Sequence, residues 1–204
     1  MLRHMRNGYY IIFEQSENIS YGVSRISYRR RRYIISNNPL TKEYIMFSIR
    51  FAKREDTKLI LKFIKQLAEY EKMSDEVVAS EELLEQWIFD KQKAEVIFAL
   101  EDGKEVGFAL FFHNFSTFLG RAGIYLEDLF VEPQYRGKGY GKALLKKLAS
   151  IAVERGCGRL EWWCLDRNKP SIDFYLSLGA QPMNDWTTYR ITGDTLQNLA
   201  KEEK

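Results

Sequence analysis

The sequence predicts an α+β fold, a mixed and mostly antiparallel twisted sheet with helices on both faces. Two observations support this class. From Phe47 onward, short alternating apolar runs typical of strands take turns with longer runs whose apolar residues recur every three or four positions, as on an amphipathic helix. Two strand-like runs are also joined by Asp102-Gly103, a strong signal for a tight antiparallel hairpin.

The first predicted elements are a strand, two helices and the hairpin. "FSIRFAK" at 47–53 alternates as a strand, and residues 56–72 form an amphipathic helix with Asp56 at its N-cap. Ser80 begins a second helix that runs to about Phe89. "AEVIFAL" and "EVGFALFF" are the arms of the hairpin.

The second half continues as strand, helix, strand, helix and strand. "GIYLEDLFV" is a long strand, and the helix that follows it ends near Gly156. "RLEWWCL" is a further strand, and "KPSIDFYLSLG" is a helix closed by Gly179. "WTTYRIT" at 186–192 alternates as the last strand, before a short terminal helix.

Composition separates the chain into two parts at Met46. Residues 1–45 hold 8 Lys/Arg and 3 Asp/Glu, whereas the whole chain holds 31 and 28, so the remainder is mildly acidic. We predict a dispensable basic extension over 1–45, arising from an upstream start, and one domain over 46–204. The "RRRR" run at 29–32 is too weak a signal to favour a nucleic-acid partner.

The sequence also argues against several classes of protein. No apolar stretch is long enough to span a membrane, and Glu14 breaks the apolar run near the N-terminus, unlike in a secretory signal. We therefore expect a cytoplasmic protein with no membrane partner. Cys157 and Cys164 suit neither a disulfide framework nor a metal site, so reduced thiols and no metal are expected.

Three glycines follow the long strand in "VEPQYRGKGYGKALL" at 131–145. Lys142 stands where the dinucleotide fingerprint and the phosphate loop both need glycine. A glycine turn at a helix start aims consecutive backbone N–H groups at one point, which suits a pyrophosphate, and Arg136, Lys138 and Lys142 add charge. The alternative is a turn that merely joins strand to helix.

The stretch "LEDLFVEPQYRGKGYGKALL" resembles the acetyl-CoA motif of the GNAT superfamily of N-acetyltransferases, whose signature is Q/R-x-x-G-x-G/A after the central strand. The element order from Phe47 resembles that fold as well. A closer likeness is to the spermidine/spermine (diamine) N-acetyltransferases and their thialysine-acetylating relatives. It is carried by "LAEYEKM" at 67–73, "YLEDLFV" at 125–131, "YRGKGYG" at 135–141 and "NKPSIDFYLSLGA" at 168–180.

The resemblance implies direct transfer of an acetyl group from acetyl-CoA to a primary amine of a small polyamine, diamine or lysine-like substrate, by a homodimer. The implied cofactor-binding residues are Leu129, Phe130, Val131, Arg136, Gly137, Lys138, Gly139, Tyr140, Gly141, Lys142, Asn168, Pro170 and Ser171. The alternatives are acetylation of a protein or antibiotic amine, and a CoA-binding module without catalysis.

Glu127 and Asp128 interrupt an otherwise apolar strand, where an unpaired buried carboxylate would cost several kcal/mol. We predict a β-bulge beside this pair, which redirects a side chain and frees the backbone of Leu129 and Val131 to pair with an extended cofactor arm. The alternative is that both acids are salt-bridged to a neighbouring Arg or Lys.

Acetyl transfer to an alkylamine needs a base, because such an amine is neutral at pH 7 only about once in two thousand. Glu127 is the predicted base, directly or through a water. By the family pattern, Tyr175 is the general acid for the departing thiolate. A covalent route through Cys164 is poorly supported, because no paired base is visible.

The amine substrate requires an anionic pocket. The family pattern places Tyr70, Glu71, Asp128 and Trp186 there beside Glu127. Trp162 and Trp163 lie where the neighbouring strand borders the substrate, and the alternative is that this aromatic pair belongs to the core. The sequence departs from close relatives at 176–178, where "LSL" replaces basic residues after the tyrosine and puts a charged clamp on the cofactor in doubt.

Overall fold

The computed structural model describes the backbone of residues 3–4, 10–13, 32–35 and 44–201 and the side chains of residues 45–201. The chain divides into two compact units, Met1–Trp163 and Cys164–Lys204. This division falls elsewhere than the boundary predicted at 45/46, which stays a prediction. In the part that the structure describes, no helix is both long enough and apolar enough to cross a membrane.

One eight-stranded sheet runs through the first unit. Its strands are β1 (Arg3–His4), β2 (Tyr10–Phe13), β3 (Arg32–Ile35), β4 (Tyr44–Phe51), β5 (Glu95–Glu101), β6 (Lys104–Ser116), β7 (Arg121–Val131) and β8 (Leu160–Trp162). They neighbour one another in chain order, all antiparallel except the parallel pair β7 and β8. The backbones of β1–β3, in the predicted extension, continue the sheet beyond β4.

Helices pack on both faces of this sheet, as predicted. They are α1 (Thr57–Glu71), α2 (Glu81–Leu84), which continues as a π-helical turn over Glu85–Asp90, and α3 (Tyr140–Glu154). On one face, α1 packs against β5–β7. On the other face lies α3, and the Arg155 guanidinium just beyond its end stacks 6.0 Å from the Phe111 ring.

Phe63 of α1 is the centre of the core between α1 and the sheet. Its ring is fully buried and stacks on Phe108 of β6 at 5.3 Å, with Phe98 at 6.0 Å and Phe130 at 6.3 Å. Burying one such side chain stabilises the fold by about 1.5–3 kcal/mol. This core therefore fixes the end of β7 relative to α1, the two elements that carry the predicted acidic residues.

The predicted hairpin and helix ends are confirmed. Asp102 and Gly103 have φ values of 50° and 83°, the left-handed pair that a tight two-residue hairpin requires. Ser80 Oγ accepts a hydrogen bond from the Leu83 backbone N–H at 3.2 Å, which caps α2. Gly156, just past α3, is left-handed with a φ of 68°.

Asp56 occupies the N-cap position of α1, as predicted, but its side chain makes no cap hydrogen bond. Its carboxylate accepts from the Lys53 backbone N–H at 2.7 Å and from Arg50 at 2.6 and 2.8 Å. The hydrogen bonds from Arg50 hold the pKa of Asp56 below its ordinary value. A charged partner on β4 has thus outcompeted the helix N–H groups.

The second unit contains α4 (Lys169–Ser177) and α5 (Gly193–Leu199). Gly179 has a φ of 88° and closes α4 as predicted. The predicted last strand at 186–192 is wrong, because these residues form neither helix nor strand. Alternation is a local pattern, whereas a strand also needs a partner for its backbone hydrogen bonds, and residues 164–201 supply none.

Candidate active site

A β-bulge interrupts the pairing of β6 and β7 at the predicted acids. Leu110 pairs with Asp128 and Phe111 with Leu126, so Glu127 is the extra residue opposite no partner. This confirms the predicted bulge. Because directly paired residues share a face, Asp128 lies on the face of Leu110, toward α1, while the Glu127 side chain is exposed.

Asp128 has a strongly perturbed acidity. Burial, and after it the negative charges of Glu127 and Glu71, together raise its pKa to about 7. Glu71 is the last residue of α1, so the end of that helix and the bulge lie close enough for their charges to interact. The alternative prediction, that Arg or Lys pairs neutralise both acids, does not describe Asp128, whose shift runs in the opposite direction.

The end of α1 is connected to the glycine loop. Lys72, which follows Glu71, has a φ of 61°, a left-handed conformation that costs a residue with a side chain some strain. Arg136 of the loop lies 4.5 Å from the centre of the Tyr70 ring and donates a hydrogen bond to the Val131 carbonyl at 2.9 Å. Tyr70 and Glu71 therefore lie beside both the bulge and the loop.

The loop between β7 and α3 has the backbone that the glycines predict. Gly137 and Gly139 have φ values of 77° and 85°, and Gly139 is the N-cap residue of α3. The first N–H groups of a helix have no acceptor inside it, and here they belong to Gly139, Tyr140, Gly141 and Lys142. The loop and the helix start thus present several amides and the positive end of the helix dipole, which fits a diphosphate.

The outer edge of β7 changes at the bulge. β8 pairs with β7 only from Ile124 to Leu126, through Leu160–Trp162. Pairing on this edge therefore ends where the bulge begins, and Leu129–Val131 continue to pair with β6 on the other edge. This arrangement fits the predicted binding of an extended arm along Leu129, Phe130 and Val131.

Trp162, the last residue of β8, and Trp163, which follows it, differ in exposure. Trp162 is half-buried and pairs with Leu126, whereas Trp163 is 57% exposed. Trp163 meets the Tyr125 ring edge to face at 5.8 Å, and the Tyr125 ring lies tilted against that of Phe112 at 5.1 Å. Trp163 is thus the end of an aromatic row that leads across the sheet just before the bulge.

The remaining predicted residues belong to the second unit and have their own local setting. Asn168 is the N-cap of α4, where its side chain accepts from the Ser171 N–H at 3.4 Å, and Pro170 lies in the first turn. Tyr175 is half-buried, with its ring 5.4 Å from that of Phe174. Trp186 is 72% exposed.

Two acids beside the glycine loop, one buried and one half-buried, were missed by the sequence analysis. Glu132, 3% exposed, accepts from Lys62 Nζ at 2.9 Å and from Gln134 Nε2 at 3.0 Å. Glu101 accepts from Lys138 Nζ at 2.8 Å. A charge directly after an apolar strand was a usable signal for Glu132, but nothing local connects Glu101 with Lys138.

Comparison with known proteins agrees with this geometry. Residues 61–180 match the Acetyltransferase (GNAT) family. The chain is 40% identical over 164 residues to the thialysine N-epsilon-acetyltransferase of Bos taurus, covering 74% of this chain and 96% of that relative. It is 46% identical over 102 residues to the L-ornithine N5-acetyltransferase NATA1 of Arabidopsis thaliana, covering 50% and 45%. A solved integron cassette protein from V. cholerae is similar with a TM-score of 0.65 at 33% identity, covering 76% and 98%.

Proposed function

This chain belongs to the acetyltransferase (GNAT) family and is an acyl-transferring enzyme, and on that premise we propose that it moves an acetyl group from acetyl-CoA to a primary amine of a small lysine-like or diamine substrate. The observation that carries the proposal is the acidic site at the bulge. Three carboxylates, those of Glu71, Glu127 and Asp128, interact there, and a cationic substrate relieves their repulsion.

The amine class is supported by the relatives. The two curated relatives named above are called acetyltransferases of thialysine and of L-ornithine, both amino acids with a terminal amine. Such a substrate carries a second ammonium group besides the one that reacts. The site offers this group further carboxylates beside the one that accepts the proton. This favours a diamine-like molecule over a protein amine, whose neighbouring groups carry no required charge.

The donor side of the site is built from main-chain groups. Acetyl-CoA supplies the activated acetyl group as a thioester. The amides around Gly137 and Gly139 hold its diphosphate at the start of α3, and the edge of Leu129–Val131 aligns the extended arm. No metal is required in this scheme, because backbone amides and the helix dipole provide the positive potential.

The proton leaves the substrate ammonium for a carboxylate at the bulge, the amine nitrogen bonds to the acyl carbon, and the C–S bond breaks. Glu127 is the base that the sequence predicts. A pKa near 7 makes Asp128 a second candidate, because a base works best when its pKa lies close to the working pH. Tyr175 is the proposed donor of the proton that the departing sulfur takes up, and the second proton of the amine nitrogen returns to Tyr175 as the amide forms.

An acetyl-CoA consumption screen tests this function directly. Purified protein is incubated with lysine, ornithine, thialysine, diamines, polyamines, aminoglycosides and a lysine-containing peptide. We expect the highest kcat/KM for small substrates with two amino groups. Turnover of the peptide alone would move the proposal to protein acetylation, and calorimetric binding of CoA without turnover of any amine would leave a binding module.

Replacing Tyr175 by Phe tests the assigned acid. We expect kcat to fall by about 100-fold with little change in the affinity for CoA, since only the hydroxyl is lost. Phe174→Leu in the same helix is the matched control, because it alters packing without removing a proton donor. An undiminished kcat in Tyr175→Phe would remove this residue from the mechanism.

The homodimer, which the family resemblance implies, and the cytoplasmic location, which the sequence predicts, both stay predictions. Light scattering at several protein concentrations tests the first of them. A mass that remains that of a single chain would contradict it.

A further inference from the structure

Glu101, the last residue of β5, is a half-buried acid that reaches the glycine loop. Both of its carboxylate oxygens accept from Lys138 Nζ at 2.8 Å, and Oε2 also accepts from the Tyr140 hydroxyl. The Glu101 side chain is only 13% exposed. One carboxylate from the β5–β6 hairpin thus holds the two side chains on either side of Gly139.

Tyr140 is held from two directions. The residue is 2% exposed, and its ring stacks on Phe47 of β4 at 4.7 Å with an angle of 8° between the planes. Burial, together with the hydrogen bond to Glu101, raises the pKa of Tyr140 well above its ordinary value, so the hydroxyl remains a donor. The first residue of α3 is therefore fixed to both β4 and β5.

Lys138 has a corresponding role on the other side of Gly139. It lies between two left-handed glycines, which have no side chains to hold the loop in place. Its ammonium is 5.2 Å from the centre of the Tyr135 ring, and Lys104 Nζ donates to the Tyr135 hydroxyl at 3.2 Å. The contacts of Lys138, Tyr135 and Tyr140 all lead to the β5–β6 hairpin.

We propose that Glu101 is a positioning residue for the acyl donor: by binding Lys138 and Tyr140 it fixes the amides of the glycine loop in the orientation that receives the diphosphate. This inference rests on the proposed function. Glu101 also balances the charge of Lys138, so the lysine acts as a tether and the backbone as the ligand-binding element. Glu101 touches neither substrate nor reacting atoms in this role.

The substitution Glu101→Gln separates a tether from a phosphate-binding lysine. If Lys138 served the diphosphate directly, removing the Glu101 charge would release it and strengthen the binding of CoA. A positioning role predicts the opposite result, weaker binding of CoA. We expect the Kd for CoA, measured by calorimetry, to rise by about tenfold, because a loosened loop must be ordered on binding.

Glu105→Gln is the matched control. Glu105 lies on the same hairpin and accepts from Arg50 at 2.7 Å, with no hydrogen bond or ion pair to the loop among the described residues. We expect its Kd for CoA to stay within about twofold of the wild-type value. Equal weakening in both variants would mean that the hairpin as a whole, rather than the Glu101 tether, is responsible and would overturn the inference.

Kinetics and hydrogen exchange supply readouts that a general loss of stability does not reproduce. In Glu101→Gln, the KM for acetyl-CoA is expected to rise about tenfold while kcat and the KM for the amine stay within about twofold. Amides 137–142 should exchange faster, with α1 and β6 unchanged. An unaltered or tighter Kd for CoA would overturn the proposal.

Tyr140→Phe guards against a folding defect in the first variant. It removes one hydroxyl from the tether and keeps the ring stacked on Phe47, and we expect about threefold weaker binding of CoA. Wild-type affinity in a folded Tyr140→Phe together with wild-type loop exchange would contradict the role of Glu101. Wild-type protein that binds no CoA would instead defeat the proposed function itself.

Discussion

The acids beside the glycine loop lie at the end of β5 and directly after β7, and the acids at the bulge lie within β7, yet the surroundings of the two sets differ. Glu132 is buried and Glu101 is half-buried, and each accepts from a lysine, Lys62 or Lys138, at 2.8–2.9 Å. Asp128 has acids as its electrostatic neighbours, and its pKa rises to about 7 through burial first and then through their charges.

This difference indicates which acids hold the structure in place and which are suited to take part in the reaction. A buried carboxylate with a cation and hydrogen-bond donors is held in one place, and removing one partner is costly. A carboxylate surrounded by like charges is less stable as an anion, so its proton is poised near neutral pH. The paired acids therefore shape the loop, and the clustered acids are suited to bind cations and move protons.

The largest expected effect is on activity at the cluster. Asp128→Asn should lower kcat/KM for the amine at pH 7 by about 100- to 1000-fold, because it removes a proton acceptor and one charge that holds the ammonium. Steady-state kinetics measure this, and calorimetry should show unchanged CoA affinity. Activity within threefold of wild type would place Asp128 among the merely structural acids.

Glu127→Gln distinguishes the two candidate bases through the pH profile of kcat/KM. If Asp128 accepts the proton, loss of the Glu127 charge lowers the pKa of Asp128, and the acidic limb moves to lower pH by up to about one unit. We expect this direction. A profile displaced to alkaline pH, with turnover following the neutral amine, would assign the base to Glu127.

Glu132→Gln tests whether the acids that pair with a lysine stabilise the fold. The variant keeps the shape of the side chain but loses the ion pair with Lys62, whose side chain is 52% exposed and can turn to water. We expect the free energy of unfolding to fall by about 1–3 kcal/mol in urea titrations at pH 7. The control is Glu95→Gln, since Glu95 pairs with Arg155 at the surface, where the change should stay under about 0.5 kcal/mol.

The smallest expected effect is a gain in stability when Asp128 is replaced by Asn. The pKa of Asp128 is higher in the folded than in the unfolded chain, so its carboxyl favours folding at low pH and this advantage is lost as pH rises through about 7. Asp128→Asn should therefore stabilise the protein by about 1–2 kcal/mol at pH 8 and by almost nothing at pH 4. Urea titrations at both pH values check this, and equal stability at pH 8 would show that the cluster carries no folding cost.

Features encoded by neighbouring residues were predictable from the sequence. Glu127 and Asp128 indicate the bulge because two adjacent acids cannot both leave an apolar strand by simple alternation. Asp102-Gly103 indicates the hairpin because both residues tolerate left-handed backbone. In each case the residues that reveal the feature are those that form it.

Features that depend on distant partners were not predictable. The alternation of "WTTYRIT" has the period of a strand, but period does not supply a neighbouring strand. Asp56 has the residue type and position of a helix cap, yet Arg50 of β4 provides a stronger, charged donor. Glu101 and Lys138 are 37 positions apart, and only the folded sheet brings them together.

The extra residue at the bulge, Glu127, can be removed without changing the pairing partners of its two neighbours. Without Glu127, Leu126 and Asp128 would still face Phe111 and Leu110 in a regular ladder, and each apolar residue of β7 would remain in its own layer. We expect a chain without this single residue to keep its architecture. In such a chain β8 would pair with β7 beyond Leu126 and cover the edge along which the donor arm is proposed to bind. We therefore expect deletion of Glu127 to leave the sheet assembled and to remove the open edge that the donor arm requires.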